Sequence, residues 1–251
     1  MSEMKRLSDR NRAIQEMLTS GEGLKTFYRF VANNPHIALH DACQIVIERP
    51  SASICFSFEE WNAQGRRVTK GRKGIPYYDN DGSKHFVFDV SDTHGDNRYR
   101  RSINPVKKIL DGLDLVNGTE IAGSNRGDYR IMLSGVVNYL GQNEFFTEDE
   151  DRNRLIAEGA TYLLYSTTGF PKDRGITLKG YPYGLSENAD LFREILKTTE
   201  VLQQDINDAV ANKQSEVPVI DDTEEETVTD EPVIPKSDET PVKTQEESSV
   251  T

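Results

Sequence analysis

The chain is poor in the residues from which most active sites are made. It holds two cysteines, four histidines and one tryptophan among 251 residues. Cys43 and Cys55 lie in apolar surroundings without metal or redox spacing, so they read as buried free thiols of a reducing compartment. No stretch approaches 18 apolar residues, and no membrane-spanning helix is expected. No apolar run follows Met1 to Arg6, so no secretory signal is expected and the expected location is cytoplasmic. A phosphate-binding loop is missing too: Gly71-Arg72-Lys73-Gly74 lacks the spacing and the hydroxyl that would hold magnesium.

The few candidate ligands are scattered. His36 and His40 are spaced i, i+4 on an expected helix, but Ile37, Ala38 and Leu39 between them offer no general base. Capping or packing suits that pair better than a metal. His85 and His94 have no serine or cysteine partner that the sequence can place. Asp79, Asp81, Asp89 and Asp92 lie near expected strands, as a nuclease metal site would require. Asp79 and Asp81 fall in a turn sequence, however, and no spacing demands paired carboxylates with a lysine. No cofactor and no catalytic residue is expected.

Apolar content is also low, at 35%, and the deficit is local. From Gln214 to Thr251 there are twelve acidic residues and two lysines, a net charge of −10, against −12 for the whole chain. Residues 1–213 therefore carry only −2, and residues 1–75, with twelve Lys/Arg against eight Asp/Glu, carry +4. The acidity belongs to the tail and does not argue against an anionic ligand elsewhere. With four prolines, no aromatics and dense acid, the tail cannot bury enough apolar surface to offset its ordering entropy, and disorder is expected. It carries a loose echo at Glu216-Val-Pro-Val-Ile-Asp221, Asp230-Glu-Pro-Val-Ile-Pro235 and Glu239-Thr-Pro-Val-Lys243, read either as low-complexity drift or as a repeated partner motif. It could compete with an anionic ligand for the basic region or recruit conjugation or replication proteins.

What the chain does have is concentrated between Trp61 and Gly74. Five basic side chains, Arg66, Arg67, Lys70, Arg72 and Lys73, stand there with Gly65, Gly71, Gly74 and the sole tryptophan, and without an acid among the cations. Cations of this kind neutralise phosphates, glycines let backbone N–H groups form an anion nest around Gly71 and Gly74, and an aromatic ring stacks on any base. The segment thus reads either as a single-stranded nucleic-acid loop or as a solvated hairpin turn with Trp61 in the core. If Trp61 is buried, stacking must fall to Tyr77 or Tyr78.

Around this loop the periodicity predicts helices over residues 3–18, 20–32 and 36–47, and a strand over 52–58. It then predicts a short helical turn at Phe58–Trp61, strands over 75–78 and 85–90 joined by the turn Asp79–Gly82, and a polar loop from Asp92 to Arg101. Arg98, Arg100 and Arg101 form a second basic cluster in that loop. Helices are expected to start near Asn104, Asp128 and Glu148, with another over 186–212. The fold class is α+β: a small antiparallel sheet with N-terminal helices, then a helical region and a disordered acidic tail.

Several separated motifs resemble a known family. They are Asn33-Asn34-Pro35-His36, Glu48-Arg49-Pro50-Ser51-Ala52, Trp61-Asn62-x-x-Gly65-Arg66-x-Val68-x-Lys70-Gly71-x-Lys73-Gly74-Ile75, and Phe86 to Thr93. Over residues 20–95 they are similar to the N-terminal domain of ArdC-type antirestriction proteins and of LtrC-like proteins of mobile elements. The resemblance implies a domain that binds single-stranded DNA, in conjugative transfer or antirestriction, with a zinc metallopeptidase-like domain after it. The expected division is 1–19, a helical extension; 20–125, the DNA-binding domain; 126–213, a degenerate metallopeptidase-like region; and 214–251, the tail. In that region Ser134 and Asn138 stand where the family's two histidines would be and Gly135 where its glutamate would be, while Glu158 matches the third ligand. No zinc site and no enzyme activity are expected. The DNA-contacting residues expected are Trp61, Arg66, Arg67, Lys70, Gly71, Arg72, Lys73, Gly74 and Tyr77. A protein-interaction module for a relaxase, restriction or replication protein, and a residual metallohydrolase, are the alternatives.

Overall fold

The computed structural model describes residues 3–79, 81–95, 104–119, 128–168 and 176–215. Among them it is an α+β structure of eight α-helices and two small antiparallel sheets. Helix α1 (Glu3–Thr19) gives way to α2 (Gly21–Asn33) at Ser20, whose extended backbone and side chain cap the second helix by accepting from the Gly23 N–H. The end of α2 is set by Asn34. Its buried amide donates to the carbonyls of Phe30 (2.8 Å) and Ser53 (2.7 Å), while its Oδ1 accepts from Cys55 N–H (2.7 Å). One side chain thus closes a helix and holds the strand that follows 21 residues later.

The third helix, α3 (Leu39–Glu48), begins three residues later than the periodicity predicts. Ile37 N–H donates to the Asn34 carbonyl and turns the chain there. His36 is therefore off the helix: its Nε2 lies 2.9 Å from the Cys55 carbonyl, and its ring stacks on Phe56 at 4.3 Å. Only His40 is helical, so the i, i+4 histidine pair does not exist in the fold.

The strand expected over 52–58 contracts to β1 (Cys55–Phe56). The backbone N–H groups of Ser53 (2.6 Å) and Ile54 (3.2 Å), and the Ser53 hydroxyl (3.0 Å), donate instead to the buried Asp89 carboxylate. Helix α4 (Phe58–Ala63) follows, then β2 (Arg67–Val68), β3 (Ile75–Tyr78), β4 (Lys84–Asp89), a 3-10 turn at Val90–Asp92, and β5 (Thr93–His94). Three strands form one sheet in the order β1-β4-β3, with Phe56 opposite Phe88 and Ile75 opposite Val87. The β3–β4 turn closes as expected, with Ser83 N–H donating to Asp79 and Asp81 carboxylates at 2.9 and 2.8 Å. The second sheet, β2 with β5, was not anticipated; it pairs Val68 with Thr93 and Arg67 with His94, inside a stretch whose polarity reads as loop.

Helices α5 (Val106–Asn117), α6 (Asp128–Gln142), α7 (Glu150–Thr167) and α8 (Leu185–Ser215) complete the described residues. α7 is buried on almost every side, from Leu155 to Ser166, and packs against α2, α6 and α8. Phe192 of α8 meets Phe27 at 4.7 Å and Tyr28 at 5.3 Å between ring centroids, and the buried hydroxyls of Tyr28 and Tyr181 bond to each other. Fully burying each such ring contributes about 1.5–3 kcal/mol. α3 bridges this bundle and the sheet by packing on α1, α2 and β3. Met1–Glu216 forms one compact unit, and the stretches 20–125 and 126–213 share its core. α8 continues through Gln214 and Ser215, two residues into the stretch expected as tail. The rest of the tail, and Arg98, Arg100 and Arg101, lie outside the described residues. No helix among those described is long and apolar enough to cross a membrane.

Candidate nucleic-acid interface

The basic loop hangs between two small pieces of regular structure, and each is made locally. Ser57-x-x-Glu60 forms a capping box: the Ser57 hydroxyl accepts from Glu60 N–H (3.1 Å), and the Glu60 carboxylate accepts from Ser57 N–H (2.8 Å). That box starts α4 and brings Trp61 round to the interior. Trp61 is 0% exposed, its indole N–H donates to the Phe88 carbonyl (2.8 Å), and Phe56 meets it edge-on at 4.9 Å. Trp61 is thus the buried anchor of the loop. The stacking role is closed to it because its ring has no free face.

Arg66 is half-buried. Its guanidinium turns inward, donating to the Thr93 hydroxyl (2.9 Å) and carbonyl (3.1 Å), 5.8 Å from the Trp61 ring. This arginine clamps β2 onto β5 and is engaged before any phosphate arrives. Two residues to which the sequence reading gave no part in the loop, Arg49 and Asp92, complete the frame. Asp92 is 3% exposed and receives a hydrogen bond from Arg49, whose other terminal nitrogen donates to the Lys73 carbonyl at 3.3 Å. A buried carboxylate needs such a partner to offset its lost hydration. Thr69 N–H also donates to the Asp92 carbonyl (2.9 Å), so both ends of the segment 69–73 are tied to Asp92, directly or through Arg49. The Glu48-Arg49-Pro50 motif carried this signal, an arginine placed straight after an apolar helix, but not its partner 43 residues away.

With its ends fixed, the loop turns outward. Arg72 N–H donates to the Thr69 carbonyl (3.1 Å), and Gly71 takes φ +87°, with open space where a side chain would stand. Arg67, Lys70, Arg72 and Lys73 are exposed. Arg72 approaches Asp92 at 3.9 Å, whereas Arg67, Lys70 and Lys73 have no acidic partner among the described residues. Lys84, exposed on β4, adds a cation that the sequence reading did not place at the site. Tyr77 is half-buried. Strand alternation puts it with Ile75 and Val87 on the core side, where its ring stacks on His85 at 5.4 Å. Burial, and then the charge of Asp41, raise its hydroxyl pKa.

The aspartates weighed for nuclease chemistry are structural here. Burial pushes the Asp89 pKa up, but hydrogen bonds from Ser91 and Ser53 outweigh it and hold the carboxyl below its ordinary value. His94 Nδ1 lies 3.1 Å from the Thr69 hydroxyl, and His85 Nε2 lies 2.8 Å from Asp79. Cys43 and Cys55 are free and buried, and burial pushes both thiols up to about 12. Neither is a nucleophile at neutral pH.

In the helical region, Glu158 lines a cleft of about 400 Å³ with Leu133, Val137 and Phe146. The α6 residues beside it are thus Leu133 and Val137, whereas Ser134 and Asn138 are exposed to solvent, one position round the helix from the register expected. In either register the donor set does not fit zinc, because aliphatic or hydroxyl and amide groups stand where imidazoles would have to be. Among the described residues, no three His, Cys, Asp or Glu side chains gather as a metal-ligating group. Burial raises the Glu158 pKa, opposed by Arg154, whose guanidinium lies 3.2 Å away, and by Lys179.

No protein-family model and no curated protein matches the chain. A solved structure of the antirestriction protein ArdC from plasmid R388, in metal-free form, is similar at a TM-score of 0.40 and 16% identity, over 68% of this chain and 84% of that one. A likeness that distant assigns neither fold nor activity.

Proposed function

We propose that the chain binds single-stranded DNA without sequence preference, through the phosphates, and that Arg67, Lys70, Arg72 and Lys73 make the contacts. One observation carries this reading: cations held in solvent, without acidic partners for three of the four, on a loop whose ends are pinned by buried groups. Their charge is available, and the pinned ends of the loop lower the backbone ordering cost when a phosphate binds. The setting, protection or transfer of entering DNA on a mobile element, rests on the motifs shared with ArdC-type proteins.

Fluorescence anisotropy with labelled single- and double-stranded oligonucleotides across a salt series tests it. With about four phosphates neutralised, the log–log salt slope for single strands is expected near −3, from about −0.7 per phosphate. Lys70→Ala/Lys73→Ala should make the slope shallower by about 1.4. A wild-type slope near zero refutes the electrostatic reading.

A further inference from the structure

The solvent side of β4 carries something that the loop alone does not. Strand alternation sends Val87 and Asp89 to the interior and Lys84, Phe86 and Phe88 to the other face. Phe86 is 47% exposed, and beside this face Phe58, the first residue of α4, is 48% exposed. Phe88 lies between them, its ring edge-on to Phe58 at 6.5 Å between centroids. Single exposed apolar residues are ordinary, but neighbouring aromatic rings left open beside a ring of charge mark a binding surface.

The basic loop ends on these rings. A β-carbon built on Gly74 would stand 3.0 Å from Phe86 Cβ, 3.2 Å from Phe86 Cδ1 and 3.2 Å from Phe88 Cζ. The backbone after Lys73 therefore lies directly against the aromatic pair, and a side chain at position 74 would have to push the rings aside by a few tenths of an ångström. From the far end of the strand, the Lys84 ammonium stands 4.9 Å from the centre of the Phe86 ring. The rings are thus flanked by Lys73 on one side and Lys84 on the other. The Glu60 carboxylate nearby is turned onto the Ser57 N–H.

We infer that Phe86, with Phe58 and Phe88, is a base-stacking platform, and that its occupant is the unpaired bases of a single strand whose phosphates lie on Lys70, Lys73 and Lys84. Charge complementarity selects this occupant, because an apolar face flanked by the exposed cations Lys73 and Lys84 suits a ligand with flat apolar faces and an anionic backbone. A duplex hides its base faces, so the platform is also what separates single from double strands. Phenyl rings present no hydrogen-bonding edge, so stacking here reads no base edge and leaves only the modest preferences set by stacking strength. The inference rests on the nucleic-acid reading above.

The test compares binding of the full chain to a labelled oligothymidylate with binding to an oligomer of the same length built from abasic sites. Wild type should prefer the thymidylate. Phe86→Ala should lose roughly 5- to 150-fold in thymidylate affinity, and Phe58→Ala should lose affinity in the same direction. Neither change should alter abasic binding or the melting temperature. Phe86→Trp should restore thymidylate binding, and its exposed indole emission should be quenched by thymidylate and not by the abasic oligomer. Equal wild-type affinity for the two oligomers, or a Phe86→Ala loss that is the same on both, overturns the platform and leaves the phosphate reading standing. Binding to neither oligomer overturns both.

Discussion

Two regions of this molecule carry polar residues in suggestive patterns, and the fold treats them in opposite ways. Between Trp61 and Gly74 it divides the residues by depth. Trp61 and Arg66 go inward and tie α4, β2 and β5 together, while Arg67, Lys70, Arg72 and Lys73 are held outward. Between α6 and α7 the pattern dissolves. Glu158 shares its cleft with Leu133, Val137 and Phe146, and it is ion-paired to Arg154 one turn earlier on its own helix. A cluster of charges can act on a ligand only when other groups take over the work of holding it in place. The loop has Trp61, Arg49 and Asp92 for that work. Among the described residues, Glu158 has no group of metal-ligating side chains around it.

The largest expected effect probes the inward half of the loop. Trp61→Ala removes the biggest buried side chain of the sheet region and the donor to the Phe88 carbonyl, and should cost about 3–5 kcal/mol in urea unfolding. A stability change near zero, with nucleic-acid affinity lost, would move Trp61 to the outward half and break the division.

Arg66→Ala comes next. It removes two hydrogen bonds to Thr93 and should destabilise the chain by about 1–2 kcal/mol. The salt slope for single-stranded DNA should stay as in wild type, whereas Lys73→Ala should do the reverse, changing the slope with stability almost untouched. If Arg66→Ala shifts the slope by as much as Lys73→Ala does, Arg66 contacts phosphate after all.

The smallest effect belongs to the helical region. Glu158 has a folded pKa raised above its ordinary value of 4.5, so the folded state holds its proton more tightly than the unfolded one. Its contribution to stability is greatest below about pH 4.5 and is lost as the pH rises through the folded value. Glu158→Gln should therefore melt no lower than wild type at neutral pH. The wild-type minus variant difference in melting temperature should fall as the pH is raised from 4. A difference that grows with pH would mean that the pair with Arg154 outweighs burial, and that the cleft is a site for a charged carboxylate.

Much of the fold is legible in local chemistry. Ser20 starts α2, Asp79 to Gly82 turns the hairpin, and the apolar periods of α2 and α8 mark them as packed helices. Misreadings occur where a distant residue takes over a local group. Asn34 and Asp89 capture the backbone that a longer β1 would have used, and Ile37 turns back on Asn34 and leaves His36 outside α3. In the site, the cations were legible by type and spacing, but their division was not. Phe86 and Phe88 went unread as a platform because β4 carries rings or bulky groups on both faces, Lys84-Phe86-Phe88 and His85-Val87. The alternation alone does not say which face is covered.

The sequence by itself determined where most of the helices begin, α3 excepted, where the hairpin turns and where the basic charge is concentrated, because caps, turns and spacing act within a few residues. Only the tertiary structure decided which of those charges are free. Val68 meets Thr93 and Arg49 meets Asp92, pairings 25 and 43 residues apart. The depth of a side chain is set by such partners, which no local pattern encodes.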